Sequence, residues 1–155
     1  MQRSLMLRCA FLGTSLLALQ ALAEPPLGQL KASYSSLFAK ESTAVTFTYF
    51  PASNPPKPGS IFVVEVVDTQ GKRVRTVGEL ADEGFLGDVK AHDGIYGRKF
   101  QLNEKKPGTM FFRVVDESVV PAVVVSNNLS MEIVRHPAFQ ELLSSVWQKI
   151  VAQFH

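Results

Sequence analysis

Cysteine is all but missing from this chain. The single Cys9 lies in MQRSLMLRCAFLGTSLLALQALA, where Arg3 and Arg8 precede an apolar run from Phe11 to Leu22 that closes on Ala21-Leu22-Ala23 before Glu24-Pro25-Pro26. That pattern predicts a secretory signal peptide over residues 1–23, cut after Ala23. Cys9 comes before the apolar run, not at its end, which is not where a lipoprotein cysteine sits. Removal of the signal leaves no thiol, so disulfides, thiolate zinc sites and cysteine nucleophiles are excluded. An exported domain of this kind must be held by its apolar core, with at most a metal ion to help. The apolar run is also shorter than the ~20 residues a spanning helix needs, so no transmembrane segment is expected after the signal is gone.

A basic run is missing too. Arg3 and Arg8 leave with the signal, so the formal charge of +2 falls to zero, with fourteen Lys and Arg facing fourteen Asp and Glu. A neutral chain gives no electrostatic case for nucleic acid or for an anionic membrane. Signatures of catalysis are equally scarce: there is no GxSxG elbow, no glycine loop that would cradle phosphate, and no His and Ser in a recognisable pairing. Two carboxylates for glycoside hydrolysis can always be picked from fourteen acids, so their presence carries no weight. The expectation is a protein that is not an enzyme.

What is present is length enough for one domain and 46% hydrophobic residues. From Ala44 the apolar period is two. Val45, Phe47 and Tyr49 alternate with threonines, and Phe62, Val64 and Val66 lie inward in the almost continuously apolar run Ile61 to Val67. Arg73 to Leu80 returns as a strand, Tyr96, Phe100 and Leu102 mark one face of the next, and Met110, Phe112 and Val114 one face of Thr109 to Val115. Arg98 falls on the inward side of that count, either at a sheet margin or paired with a loop aspartate. Ala122 to Val125 and Leu129 to Val134 complete about seven strands, the pattern of a two-sheet antiparallel β-sandwich over residues 44–134. The lead-in, residues 24–43, has Leu30, Tyr34, Leu37 and Phe38 at a spacing that suits a short helix, or else it packs along the sandwich edge.

Residues 135–155 change period again. Phe139, Leu142, Leu143, Val146, Trp147, Ile150 and Val151 recur at steps of three and four, which predicts a C-terminal amphipathic helix. Its apolar face either packs on a sheet or binds a partner. In the second case Phe139, Leu143, Val146, Trp147 and Ile150 are the partner-binding residues.

The organising stretch is Leu80 to Tyr96, LADEGFLGDVKAHDGIY, between two strands. Aspartate and glycine supply the local hydrogen bonds and positive φ angles of tight turns, so it reads as consecutive turns. Asp82, Asp88 and Asp93, with Glu83 nearby, also supply the hard oxygen donors that calcium takes, although the spacing is not that of an EF-hand. Turn-capping and calcium binding both stay open, and calcium is the one cofactor the sequence suggests. His92 lacks the further nitrogen ligands a zinc site needs and is expected to be a surface residue.

The pattern LxDxGxxGDxxxxDGIYxRxF, from Leu80 to Phe100, resembles a loop in immunoglobulin-like β-sandwich domains of bacterial surface and secreted proteins, the choice-of-anchor X type. It is similar to a segment of the β-sandwich domain of calcium-activated chloride channel regulators. The resemblance covers mainly Ile61 to Val115. It implies an immunoglobulin-like all-β fold and an accessory, non-catalytic binding or structural module, periplasmic or secreted, whose partner is an envelope or surface protein. The alternative is a carbohydrate-processing or other secreted hydrolase.

Overall fold

The computed structural model describes residues 26–53, 55–136, 142–143 and 147. The expected signal peptide lies outside them. Among the described residues the chain is all-β, with nine strands. They are β1 (Gln29–Ala32), β2 (Ser36–Phe38), β3 (Ser42–Phe50), β4 (Phe62–Val67), β5 (Arg73–Glu79), β6 (Tyr96–Asn103), β7 (Gly108–Asp116), β8 (Val123–Val124) and β9 (Leu129–Val134). They build a three-stranded sheet in the order β1-β3-β6 and a larger sheet in the order β2-β9-β7-β4-β5, with β8 beside the end of β7.

The alternation in the sequence sets the faces. Val45, Phe47 and Tyr49 of β3 are buried and the residues between them are not, because successive side chains on a strand point to opposite sides. β4 is buried at every position, as suits a strand with β5 on one side and β7 on the other. Inward side chains of both sheets meet in one core. Phe47 of the smaller sheet packs on Phe112 of the larger with ring centroids 5.0 Å apart, and Phe62 lies 5.0 Å from Tyr49 and 4.6 Å from Tyr96. Phe112 is fully buried, so its truncation to alanine is worth about 3–5 kcal/mol.

Two expectations are corrected. Of the two readings of the lead-in, the short helix is replaced by two strands at sheet edges, β1 in the smaller sheet and β2 in the larger, with Leu30 and Leu37 buried and Tyr34 and Phe38 exposed. The seven strands expected over residues 44–134 are present as β3 to β9, and the lead-in adds β1 and β2. Pairing is not wholly antiparallel, since β2 runs parallel to β9. Of the expected C-terminal helix, only Leu142, Leu143 and Trp147 are described, in helical conformation, and the rest lies outside the described residues. No helix among the described residues is long and apolar enough to cross a membrane.

The exposed edge β5 carries Arg73 and Arg75, and its ladder with β4 is broken by register shifts at Val64/Glu65 and Val66/Val67. Charges and bulges of this kind discourage further strands from adding. On the outward side of β4, Glu65 is 3% exposed. Its Oε1 accepts a hydrogen bond from Nε of Arg113 at 2.6 Å and lies 2.6 Å from Nη2 of the same guanidinium, which pairs the buried charge across the β4–β7 ladder.

Candidate functional site

The stretch from Leu80 to Ile95 carries the chain from β5, the last strand of the larger sheet, to β6, the last strand of the smaller. Its ends are fixed by main-chain bonds. Leu80 N–H donates to the Phe62 carbonyl (2.8 Å), Gly97 N–H to Ala81 (2.8 Å) and Lys99 N–H to Leu86 (2.6 Å), so the loop lies against the outer edge of β6. Such an approach requires glycine. A Cβ on Gly97 would stand 2.9 Å from Cα of Asp88, and one on Gly87, whose φ is +107°, would stand 2.9 Å from the Lys99 nitrogen. Arg98 stands at this margin and donates from Nη1 to the Glu79 carbonyl at 3.2 Å.

The aspartates shape the turns. Asp82 accepts from Asp93 N–H through Oδ1 (3.2 Å) and from Gly94 N–H through Oδ2 (2.9 Å). Asp88 Oδ2 accepts from Gly84 N–H (2.6 Å), and Asp93 Oδ1 from Ile95 N–H two residues on (2.9 Å). The capping role is therefore real. It also brings the three side chains together: one carboxylate oxygen of each of Asp82, Asp88 and Asp93 lies within 4.8 Å of the others. Asp88 is buried and the other two are half-buried. Glu83 and His92 are exposed and stand outside this group.

Two magnitudes decide what this arrangement suits. Unit charges about 5 Å apart repel by about 3 kcal/mol at an effective dielectric of about 20, so three carboxylates held there repel one another strongly. Calcium binds oxygen at about 2.3–2.6 Å, so two oxygens on one ion are at most about 5 Å apart. The observed 4.8 Å falls inside that limit. A carboxylate offers about four lone-pair positions, so the main-chain bonds leave acceptor capacity on all three. The donor set is oxygen only, which fits a hard cation and not zinc or copper.

Beside the cluster is a groove of about 330 Å³ walled by Pro55 to Ser60 on one side and by Asp82, His92, Asp93 and Tyr96 on the other. This proline-rich segment joins β3 to β4, and its place opposite the aspartates comes from the fold, not from nearness in sequence. Burial pushes the Tyr96 phenol above its ordinary pKa, and the charge of Asp82 adds to the effect.

Of the five residues expected to bind a partner, Leu143 and Trp147 are 38% and 65% exposed. Phe139, Val146 and Ile150 lie outside the described residues. The chain matches no model of a known protein family and no curated protein.

Proposed function

We propose that the chain is an extracytoplasmic, non-catalytic binding module of immunoglobulin-like sandwich architecture, whose crossover between sheets is braced by a calcium ion held by Asp82, Asp88 and Asp93. The observation that carries this reading is the convergence of those three carboxylates within 4.8 Å in the loop that spans the two sheet edges. The sandwich is supported by strand order. Immunoglobulin-like domains place strands A, B and E in one sheet and C, F and G in the other, with C′ beside C in the variable type. Here β1-β3-β6 follows the order A-B-E, and β9-β7-β4-β5 follows G-F-C-C′. Export is supported by the signal-like segment at residues 1–23 and the absence of cysteine after it.

The partner is an envelope or surface protein that engages the C-terminal segment. Support for this comes from Trp147, a large apolar side chain 65% exposed where packing on a sheet would bury it. The alternative, a secreted hydrolase, draws on the groove with Asp82 and Asp93 in its wall. Against it, both Asp82 oxygens already accept main-chain hydrogen bonds, so neither is presented as a general acid to a leaving group. The test is thermal unfolding with calcium and with chelator. A melting temperature that does not depend on calcium overturns the brace.

A further inference from the structure

Lysines and arginines scattered along the sequence come together where β3 begins, β6 ends, β7 begins and β9 ends. Main-chain bonds hold these segments side by side: Lys40 N–H donates to the Glu104 carbonyl (2.6 Å) and Ala39 N–H to the Val134 carbonyl (2.8 Å). Two adjoining hollows of about 630 and 710 Å³ open here and share Lys105 and Pro107. Their walls carry five cations, Lys40, Arg75, Lys105, Lys106 and Arg135, against two carboxylates, Glu41 and Glu104. Both carboxylates are engaged, Glu104 by Arg75 and Glu41 by His136. Lys105, Lys106 and Arg135 form no ion pair among the described residues. All three are exposed. The other described residues comprise eight Lys and Arg against ten Asp and Glu, so the excess of positive charge is confined to this place.

A cleft lined by one sign of charge focuses its field and concentrates counter-ions of the other sign. We propose that this groove binds an acidic polysaccharide, a chain bearing carboxylate or sulfate groups at regular intervals. Single-stranded nucleic acid is disfavoured because no Phe, Tyr or Trp among the described lining residues offers a surface for base stacking. A lipid surface is disfavoured because the feature is concave. The side-chain amides of Gln101 and Asn103 in the second hollow suit sugar hydroxyls. This binding is independent of the aspartate cluster and of calcium.

The test is titration calorimetry of the full chain, with calcium chelated, against a heparin oligosaccharide and against polygalacturonate, at low and at physiological salt. The wild type is expected to bind with affinity that falls as salt rises. A Lys105→Ala/Lys106→Ala pair or Arg135→Glu should weaken binding by about fivefold or more, the effect of two exposed ionic contacts. A control pair with the same charge change elsewhere, Lys72→Ala/Lys90→Ala, should alter it by less than about twofold, and its unfolding curve should match that of the groove pair. Absence of binding by the wild type overturns the proposal, as do equal losses in the groove and control pairs. Equally tight binding of a single-stranded DNA oligonucleotide overturns the assignment to a polysaccharide.

Discussion

Replacement of Asp88 by asparagine separates a calcium brace from a turn cap, because the two readings assign opposite signs to the change. Asp88 contributes one charge to two close pairs, with Asp82 and with Asp93, all within 4.8 Å. Each pair costs about 3 kcal/mol at an effective dielectric of about 20, an upper figure since two of the partners are half-exposed and screened. Asparagine keeps an oxygen to accept from Gly84 N–H, the bond Asp88 makes at 2.6 Å. In chelator, Asp88→Asn therefore melts at or above the wild type. With free calcium at about a hundred times its dissociation constant, the wild type gains about 2.7 kcal/mol, or about 10 °C or more in a domain of this size. Asp88→Asn should lose most of that gain. Asp88→Ala removes the same charge together with the acceptor for the Gly84 N–H, so it should melt below Asp88→Asn in chelator and also lose the calcium gain. Differential scanning calorimetry in chelator and in millimolar calcium reads all three proteins. A wild-type melt indifferent to calcium refutes the brace, and an Asp88→Asn protein clearly less stable than wild type in chelator refutes the repulsion on which it depends.

Tyr49 gives a pH prediction. Burial, then the charges of Asp116 and Tyr96, push its phenol up to about 12. The folded state thus holds the proton more tightly than the unfolded chain, so stability present below about pH 10 is lost as pH rises toward 12, at up to about 1.4 kcal/mol per unit. Denaturant melts should show this slope in the wild type and not in Tyr49→Phe; identical profiles contradict it. At the buried pair, Arg113→Ala leaves Glu65 only the longer contact to Arg73 Nε, at 3.9 Å, and should cost about 3 kcal/mol, whereas Glu65→Leu/Arg113→Leu together should cost far less. A loss below about 1 kcal/mol in Arg113→Ala would show that the pair is solvated. Trp147→Asp with Ile150→Asp should abolish co-purification of an envelope partner while leaving the unfolding of the β-sheet domain unchanged. Retained binding removes the C-terminal segment from the interface.

Elements whose signal is local were legible in the sequence. β3 and β9 alternate because one face of each is buried and the other is not, and the organising loop declares itself because aspartate and glycine write their turn chemistry within a few residues of themselves. Convergence of Asp82, Asp88 and Asp93 follows from the same short-range bonds, the longest of which spans twelve residues, from Gly94 to Asp82. The helix alternative for the lead-in fails for a physical reason. The chain leaves one sheet after β1 and joins the other at β2, so the buried Leu30 and Leu37 fall seven residues apart, and seven residues is also two turns of helix. A period that arises from a change of sheet cannot be told from a helical one by spacing alone.

The cationic groove illustrates the other limit. A scan for basic runs finds none, since Lys40, Lys105 and Arg135 are separated by sixty-five and thirty residues. They meet only because β3 pairs antiparallel with β6, placing Ser42 opposite Asn103, and β7 with β9, placing Gly108 opposite Ile133. Net charge near zero therefore excludes a diffuse field but not a local one. At a Debye length of about 8 Å in physiological salt, charges at this end of the sheets are screened from the carboxylates of the crossover loop, and each region acts on what approaches it by its own sign. In a chain whose charges nearly balance, the acidic loop that joins the sheets and the basic strand ends opposite it therefore keep local fields of opposite sign, with neither cancelling the other.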